Sequence, residues 1–383
     1  MTAIVAINSG SSSVKYALYG ANDLLLLRGQ MASFPDTPVL IEKVPTPSTT
    51  SLDGVADIAS AVRFIAERCA EFVDLEEIGA VGHRVVHGGA SFSQPTLLDH
   101  EAIRQIEALS PLAPSHQPSA LAGIEAATTA FPSAMQTASF DTSFHRSQDS
   151  VSQLYALPRH ILDKGIRRYG FHGLSYQFTA MEMAALLADI DTPRIIAAHL
   201  GSGASLCAMR GTESVATSMG FTALDGLPMA TRCGNIDPGV LLYLLETDEL
   251  SVEALSEMLY QQSGLKGLSG ISGDMPALLE IQAPYAREAI DYFVHRIVLG
   301  IGEMAAALGG IDALVFSGGI GENAPHIREM VISQLAWLGF ELDSEANAAN
   351  AAAISTAQSK RSVHIVKTDE EVIIAREARS LLR

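Results

Sequence analysis

A serine- and glycine-rich turn near the N-terminus carries the residue types that hold a phosphate group. The segment Ile4–Gly20 reads IVAINSGSSSVKYALYG, in which an apolar run enters the polar turn Asn8–Ser13 and leaves with apolar and polar residues alternating. Such alternation is typical of a half-buried strand. Gly10 lets the backbone approach an anion, the serines offer amide and hydroxyl donors, and Lys15 adds a positive charge. On this segment alone, an ordinary serine-rich hairpin is an equal alternative.

The same pattern returns in the second half of the chain. Residues 195–211 align with residues 4–20 without a gap at a constant offset of 191, and glycines and apolar positions coincide. An offset of half the chain predicts two related halves, each of which opens with a strand, a phosphate turn and a strand. Two such turns facing each other would hold a polyphosphate across a cleft.

A third glycine-rich turn follows an apolar segment near the C-terminus. Residues 312–323, DALVFSGGIGEN, predict a buried strand that runs into Gly-Gly-x-Gly, and Pro325 begins the next helix. A strand that enters glycines ahead of a helix suits a nucleotide phosphate. The spacing is not the dinucleotide pattern GxGxxG, so a Rossmann enzyme is not predicted.

Arg84 and two histidines belong to the segment IGAVGHRVVHGG. Arg84 ends a predicted strand, where it is either a surface charge or a bidentate clamp for a carboxylate or phosphate. His83 and His87 are four residues apart, which on a helix would suggest a zinc pair. The flanking glycines and paired valines favour a strand, so a zinc site is not predicted.

Asp141 and Arg232 are the next candidates. Asp141 follows a predicted strand end, where it is either a cap or a functional carboxylate. Arg232 is the only cation in the loop at residues 216–239, and a loop of that length inside a compact protein is uncommon unless it is functional.

Three further side chains have both a structural and a functional interpretation. His116 lies in a loop between two prolines, where a structural and a functional role are equal alternatives. His172 follows Phe171 just ahead of a predicted helix, and a histidine beside an aromatic residue is usually a packing residue. Glu370 lies in an acidic turn before the last helix, where it either complements the helix dipole or holds Mg²⁺ through water.

Composition indicates a globular protein with room for two domains. The chain has 383 residues, of which 48% are hydrophobic and 18% charged. A net charge of −18 argues against binding to nucleic acid or an anionic membrane. The three widely spaced cysteines predict buried thiols in a reducing compartment. No targeting segment or long apolar run is evident, so a cytoplasmic location is predicted.

Three phosphate-type turns, scattered arginines and no hydrolytic triad together predict ATP-dependent phosphoryl transfer. This chemistry needs positioning, Mg²⁺ and cations, and requires no protein nucleophile. The chain lacks GxxxxGK[ST] and the protein-kinase HRD and DFG motifs. The duplicated hairpin predicts an α/β fold of duplicated ribonuclease-H-like (actin-type ATPase) domains flanking a cleft.

The sequence resembles the acetate kinase family, within the acetate and sugar kinase/heat-shock/actin superfamily, essentially from end to end. The strings that carry the resemblance occur in the family's order: INSGSSSVKY, GHRVVHGG, FDTSFH, RYGFHG, AHLGSGAS, TSMGFTALDGLPMATRCGNIDPG, FSGGIGEN and KTDEE. The resemblance implies direct in-line transfer from ATP to acetate, giving ADP and acetyl phosphate, with Mg²⁺ or Mn²⁺.

The resemblance also implies roles for particular residues. The implied catalytic residues are Arg84, Asp141, Arg232 and His172. Asp141 would orient an arginine. The implied metal-binding residues are Asn8 and Glu370. The implied substrate-binding residues are Arg84, Val86, Ser115, His116, Phe171 and Ala223. The implied nucleotide-binding residues are Lys15, His199, Leu200, Gly201, Ser202, Gly203, Asp274, Gly319, Ile320, Gly321, Glu322 and Asn323.

Some positions depart from the family's usual residues. They are Ser115 (Leu), Gln117 (Asn), Tyr176 (His), Ser202 (Asn), Ala223 (Pro), Ala230 (Gly) and Pro276 (Arg), with the usual residue in parentheses. Ser115 and Ala223 fall where the family builds a pocket around the acetate methyl group. Smaller residues there would favour propionate, although one methylene is worth only about 1–3 kcal/mol. Ser202 and Pro276 leave the nucleotide preference open.

The predicted domains are 1–147 plus 372–383, on the carboxylate side, and 148–371, for nucleotide binding and dimerisation. The resemblance implies a homodimer. Alternatives are a propionate or other short-chain acyl kinase of the same family, an actin- or chaperone-like ATPase, and a sugar kinase that uses Asp141 as a base.

Overall fold

The structure is a computed structural model that describes residues 2–10, 13–33, 36–52, 54–114, 116–247 and 250–382. The chain divides into two compact units. Unit 1 comprises Met1–Phe144 and Asp369–Arg383, and unit 2 comprises His145–Thr368. The functional roles assigned above to two domains stay predictions.

The strands and helices have the following bounds. The strands are β1 (Ala3–Ser9), β2 (Ser13–Tyr19), β3 (Leu25–Ala32), β4 (Val39–Val44), β5 (Ser48–Ser51), β6 (Ile78–Val85), β7 (Thr96–Leu97), β8 (Met135–Phe140), β9 (Arg194–Leu200), β10 (Ala204–Arg210), β11 (Glu213–Thr217), β12 (Ala313–Ser317) and β13 (Ser362–Ile365). The helices are α1 (Ile58–Ala70), α2 (His100–Ala108), α3 (Gln117–Ala130), α4 (Arg159–Leu162), α5 (Gly173–Leu186), α6 (Pro238–Thr247), α7 (Val252–Gln261), α8 (Gly264–Ser269), α9 (Met275–Glu280), α10 (Pro284–Leu308), α11 (Gly318–Asn323), α12 (Pro325–Gln334), α13 (Ser344–Ala348) and α14 (Glu370–Leu381).

Unit 1 is built on a mixed sheet with the strand order β5-β4-β3-β2-β1-β6-β8-β7. Strands β1 to β5 are antiparallel neighbours, whereas β1, β6 and β8 run parallel. Alternation along β1 points Val5 and Ile7 into a core formed with α1 and α3. Helix α14, the last of the chain, packs against β1, β6 and β8.

Unit 2 repeats this architecture. Its sheet has the order β11-β10-β9-β12-β13, in which β9, β10 and β11 are antiparallel and β9, β12 and β13 are parallel. The order and directions match those of β3-β2-β1-β6-β8 in unit 1. The long helix α10 packs on β10 and begins at Pro284, because proline suits the first turn of a helix. The predicted duplicated ribonuclease-H-like fold is therefore confirmed.

The two repeated segments, residues 4–20 and 195–211, both form antiparallel hairpins, as their alternation predicts. Their registers differ by one residue. Ser9 pairs with Val14 in the first hairpin, whereas Leu200 pairs with Ala204 in the second. Ser11 and Ser12, at the tip of the first turn, lie outside the described residues.

Two details differ from the sequence-based prediction. The turn after β12 is a short helix, α11, and it is stabilised by its own polar side chains: Oε1 of Glu322 accepts from the amide of Gly318, and Nδ2 of Asn323 donates to Gly319 O. The short helices α8 and α9 were not predicted, because six residues are too few to show periodicity. Among the described residues, no helix has the length and apolar character needed to cross a membrane.

Candidate active site

The predicted residues of unit 1 gather where parallel strands end. Asn8 lies near the end of β1, Arg84 near the end of β6, and Asp141 directly after β8. Because β1, β6 and β8 are adjacent and parallel, their carboxyl ends form one edge of the sheet. This edge is where open α/β sheets bind ligands.

Arg84 is held by two carboxylates. Its Nε lies 3.0 Å from Oδ1 of Asp141 and its Nη2 lies 2.6 Å from Oδ2, which is a bidentate pair. Its Nη1 lies 3.6 Å from Oε2 of Glu370. Burial alone would lower the pKa of Arg84, but the charges of Asp141 and Glu370 outweigh burial and raise it. The guanidinium is therefore permanently charged and fixed in orientation.

Glu370 reaches this edge from the far end of the chain. Its Oε2 accepts from Nδ2 of Asn8 at 3.2 Å. The preceding residue, Asp369, accepts from the amide of Val372 and so caps α14, and Arg28 of β3 donates to the same carboxylate. The cap and this ion pair fix the first turn of α14 against the sheet.

The oxygen donors of Asn8 and Glu370 fit Mg²⁺. Mg²⁺ usually keeps several waters and binds proteins through one or two carboxylates plus substrate phosphates. No group of three or more His, Cys, Asp or Glu side chains suited to a metal occurs among the described residues, so a ready-made all-protein cage is not seen there. One carboxylate and one amide oxygen match the sparse donor set that Mg²⁺ prefers. In this structure Nδ2 of Asn8 faces Glu370 and its Oδ1 accepts from Nη1 of Arg84 at 3.4 Å, so the Asn8 amide would have to turn to bind the ion.

The other residues predicted to bind substrate or nucleotide in unit 1 lie at positions other than the Arg84–Asp141 ion pair. Lys15 is exposed on β2 and pairs with Asn8 across the hairpin. Val86 is buried directly after β6, and His116 immediately precedes α3. Ser115 lies outside the described residues.

The histidines of the GHRVVHGG segment fill structural positions. His83 lies in β6 and is buried; its Nε2 lies 2.9 Å from Oε1 of Gln136, and burial lowers its pKa to about 4. Nδ1 of His87 accepts from the amide of Gly89. The strand predicted for this segment is confirmed as far as Val85, and His87 lies beyond the end of β6.

Gln117 is a residue whose role the sequence did not reveal. It is fully buried, and its Nε2 donates to the carbonyl oxygens of His87 and Ile106. It thereby fixes the chain directly after Val86. The only sign of Gln117 in the sequence is that the family usually has asparagine at this position.

In unit 2, two glycine segments meet at the ends of β9 and β12. A Cβ on Gly318, whose φ is +76°, would lie 2.8 Å from the carbonyl oxygen of Leu200, so only glycine fits there. A Cβ on Gly201 would lie 3.8 Å from the amide nitrogen of Gly319. The turn Gly201–Gly203 and the start of α11 therefore lie close together.

A cavity of about 660 Å³ opens beside these segments. Six of the predicted nucleotide residues line it: Gly201, Ser202, Asp274, Gly319, Ile320 and Asn323. Met275, Pro276, Leu279 and Pro325 contribute apolar walls, and no lysine or arginine is among the lining residues. The volume of the cavity and its combination of polar and apolar lining residues suit a nucleoside.

The remaining predicted nucleotide residues lie outside this lining. Lys15 belongs to unit 1. The carboxylate of Glu322 turns back to the start of its own helix. Gly321 is the buried residue of α11, and His199 is described with His172 below.

His172, His199 and Arg232 converge on the same turn. The rings of His172 and His199 stack with centroids 4.4 Å apart. A Cβ on Gly203 would lie 3.2 Å from Nε2 of His172 and 3.6 Å from Nη2 of Arg232. Nη1 of Arg232 donates to the carbonyl oxygen of Ala223 at 2.8 Å. An imidazole and a guanidinium thus border one point of the glycine turn.

Phe171 and the buried His145 fix the chain before His172. The Phe171 side chain is buried, and Nε2 of His145 lies 2.9 Å from the Phe171 carbonyl oxygen. Burial lowers the pKa of His145 to about 4, so the ring is neutral and Nε2–H donates. His145 belongs to the FDTSFH string, but nothing in the sequence showed which carbonyl it contacts.

The duplicated ribonuclease-H-like fold places the protein in the class of actin-type phosphotransferases. The glycine turns of unit 2 and the arginine paired with carboxylates in unit 1 agree with this class. Residues 3–376 match the acetokinase family. The chain is 44% identical to an acetate kinase of Methylocella silvestris over 397 residues, which cover 99% of this chain and 98% of the relative. An acetate kinase of Rhizobium meliloti is 43% identical over 391 residues, covering 100% and 99%.

Solved structures agree with this relation. A propionate kinase from Francisella tularensis superposes with a TM-score of 0.92 at 35% identity, covering 99% of this chain and 100% of the other. An acetate kinase from Porphyromonas gingivalis superposes with a TM-score of 0.88 at 36% identity, covering 100% of both chains. The protein belongs to the acetokinase family.

Proposed function

We propose that this protein is an acetate kinase, which transfers the γ-phosphoryl group of ATP to acetate and forms acetyl phosphate and ADP. The observation that carries the proposal is the end-to-end relation to proteins named acetate kinase. The fixed guanidinium of Arg84 at the carboxyl edge of the unit 1 sheet supports it, because a carboxylate substrate needs a cation there.

Arg84 is proposed to bind and orient the acetate carboxylate. Asp141 holds the guanidinium through Nε and Nη2, and Nη1 remains directed toward Asn8 and Glu370. A carboxylate oxygen is already a nucleophile at neutral pH, so attack on the γ-phosphorus requires no general base. The bond to the β-phosphate oxygen breaks as the new oxygen–phosphorus bond forms.

Arg232 and His172 are proposed to stabilise the transferred phosphoryl group. Both border the Gly201–Gly203 turn, and the negative charge of the transition state lies on the equatorial oxygens. A guanidinium and an imidazole N–H that are already in position stabilise this charge without reorganisation. Ala223 contributes through its carbonyl oxygen, which holds Arg232.

Asn8 and Glu370 are proposed to hold Mg²⁺, which when bound neutralises charge on the ATP phosphates. The cavity of about 660 Å³ is proposed to hold the nucleoside, with Asp274 and Asn323 as its polar contacts. Without a lysine or arginine in the lining, discrimination between bases rests on hydrogen bonds and on shape. Lys15 is proposed to contact phosphate.

A propionate kinase is the second candidate. It is supported by the Francisella structure and by Ala223 in place of the family's usual proline. The two activities are separated by measuring ATP- and Mg²⁺-dependent acyl phosphate, trapped as hydroxamate, with acetate, propionate and butyrate at equal concentrations. We expect acetate to give the highest kcat/KM. A higher kcat/KM with propionate than with acetate would identify the protein as a propionate kinase. The absence of product with all three acids would reject an acyl kinase function.

The more remote alternatives are tested by measuring ADP release without an acid and with a hexose in place of the acid. ATP hydrolysis that is independent of a carboxylate would support an actin- or chaperone-like ATPase, and a phosphorylated hexose would support a sugar kinase. A cytoplasmic location is proposed with the kinase function, because ATP and free short-chain acids meet there.

We also propose that the protein is a homodimer through unit 2. Helix α6 is mostly apolar yet has no buried residue, and Leu242 and Tyr243 are 60% and 62% exposed. Exposed apolar faces of this kind mark interaction sites. Light scattering on a sizing column is expected to give twice 40.6 kDa. Leu242→Glu is expected to give monomers, and a monomeric unsubstituted protein would reject the proposal.

A further inference from the structure

His172 has a constrained backbone beside a buried hydroxyl. It immediately precedes α5 with φ 58° and ψ 27°, a left-handed conformation that is uncommon for a residue other than glycine. Its Nδ1 lies 2.7 Å from Oγ of Ser205 in β10. The ring is therefore held both by its own backbone and by a neighbouring strand.

Ser205 connects His172 to a buried tyrosine. Ser205 is fully buried, and its Oγ also contacts the hydroxyl of Tyr176, on the first turn of α5. Burial raises the pKa of Tyr176 well above its usual value, so the phenol keeps its proton.

The chemistry of the two hydroxyls favours one direction for these hydrogen bonds. A phenol is a stronger acid than an aliphatic alcohol and is the better donor, which directs the Tyr176 proton to Oγ of Ser205. A serine hydroxyl has one proton and two lone pairs, and here the tyrosine proton occupies a lone pair. The serine proton is then directed to Nδ1 of His172. A neutral imidazole that accepts at Nδ1 carries its proton on Nε2.

The neighbours of Nε2 favour the neutral ring. Nη2 of Arg232 and Nε2 of His172 border the same point at Gly203. The imidazole also stacks on His199 at 4.4 Å. A second positive charge beside a guanidinium is disfavoured by repulsion. Nε2–H is thus a neutral donor next to the glycine turn.

We propose that Tyr176 and Ser205 are positioning residues, which hold His172 as the Nε2–H tautomer so that it donates a hydrogen bond to the transferred phosphoryl group. Their role in catalysis rests on the proposed function, whereas the tautomer is a property of the resting protein. The two parts are therefore tested separately.

The tautomer is read by long-range ¹H–¹⁵N correlation spectra of protein labelled with [¹⁵N]histidine. The signals of His172 are identified by their loss in His172→Gln. We expect a protonated Nε2 and an unprotonated Nδ1 in the unsubstituted protein. In Tyr176→Phe and Ser205→Ala, both signals are expected to move toward the values of mixed tautomers.

A matched control comes from the same helix. Thr179→Val also removes a buried hydroxyl from α5, one that donates to the Ser175 carbonyl oxygen. It is expected to leave the signals of His172 unchanged. If Ser205→Ala does not fold, Ser205→Cys keeps the side chain with weaker hydrogen bonding and is expected to shift the signals in the same direction.

The kinetic test follows the same variants. We expect Tyr176→Phe and Ser205→Ala to lower kcat about tenfold, less than the loss of a whole donor would, with KM for ATP and acetate nearly unchanged. The double variant is expected to be no slower than the slower single variant, because both act through His172.

Two results would overturn the proposal: a protonated Nδ1 on His172 in the unsubstituted protein, or His172 signals that stay unchanged in both variants. An unsubstituted protein with the expected spectrum but no acyl phosphate formation would reject the proposed function and leave the tautomer assignment supported.

Discussion

Arg84 and Asp141 form a two-point ion pair at the carboxyl edge of the unit 1 sheet, with Nε–Oδ1 at 3.0 Å and Nη2–Oδ2 at 2.6 Å. The Asp141 side chain is 1% exposed, so water does not compete for its oxygens. The pair fixes the plane of the guanidinium before any substrate binds. A second pair of the same geometry, Arg194 with Asp312, lies in unit 2 and serves no predicted site.

Arg84→Lys is expected to lower kcat/KM for acetate at least a hundredfold, because lysine keeps the charge but cannot be gripped at two points by Asp141. Steady-state kinetics with acetate varied provide the measurement. Arg194→Lys is the matched control and should leave kcat/KM within about twofold while lowering stability slightly. Equal activity of Arg84→Lys and the unsubstituted protein would contradict a substrate role for Arg84.

Glu370→Gln is expected to raise the Mg²⁺ concentration needed for half-maximal activity at least tenfold, because a neutral amide is a weaker ligand for a hard cation. The measurement is a Mg²⁺ titration at saturating ATP and acetate. Glu101→Gln removes the same charge from an exposed helix position and is the control. An unchanged Mg²⁺ requirement in Glu370→Gln would remove this residue from the metal site.

Arg328 connects α11 to the segment after α12. It is fully buried, and its guanidinium donates to the carbonyl oxygens of Gly321 and Asn347 and to the side chains of Asn347 and Asn350. All these acceptors are neutral, and burial lowers the pKa of Arg328 to about 10. Arg328 therefore donates several hydrogen bonds, one of which holds α11 beside the cavity.

Arg328→Lys is expected to cost about 2–4 kcal/mol of unfolding free energy, because one ammonium cannot satisfy acceptors arranged around a planar guanidinium. Urea unfolding measures this loss. Since Gly321 belongs to α11, KM for ATP is expected to rise several-fold with kcat less affected. A variant as stable as the unsubstituted protein would show that these hydrogen bonds contribute nothing net.

His83 and His145 make stability depend on pH. Burial lowers the pKa of each to about 4 in the folded protein, against about 6.5 when unfolded. Between these values the unfolded chain binds more protons, so these two histidines lower stability as pH falls from 6.5 toward 4, and their contribution is constant above pH 7. The expected loss is on the order of 1–3 kcal/mol for each histidine.

The measurement is urea unfolding at pH 5 and at pH 7.5. His83→Gln and His145→Gln should each be less sensitive to this change of pH than the unsubstituted protein. His160→Gln, at an exposed position, is the control and should keep the full dependence. Equal pH dependence in all four proteins would show that neither buried ring resists protonation.

Elements whose pattern is local can be predicted from the amino-acid sequence. The alternation in residues 4–20 and 195–211 predicts two hairpins, and both exist because a strand's inward and outward positions are set by neighbouring residues. Their correspondence predicts the duplicated fold, which the matching strand orders confirm. The motif strings likewise identified the family, since it is their order along the chain that carries the resemblance.

Contacts between side chains that are distant in sequence could not be predicted in this way. Asn8 and Glu370 are 362 positions apart, and they touch because α14 packs on β1 and β6. The one-residue difference between the hairpin registers and the helical form of α11 depend on hydrogen bonds that no periodicity encodes. The contact of Ser205 with His172 and Tyr176 arises because α5 and the strand hairpin β9–β10 pack together. Such contacts are set by the packing of whole elements, which a pattern of neighbouring residues does not specify.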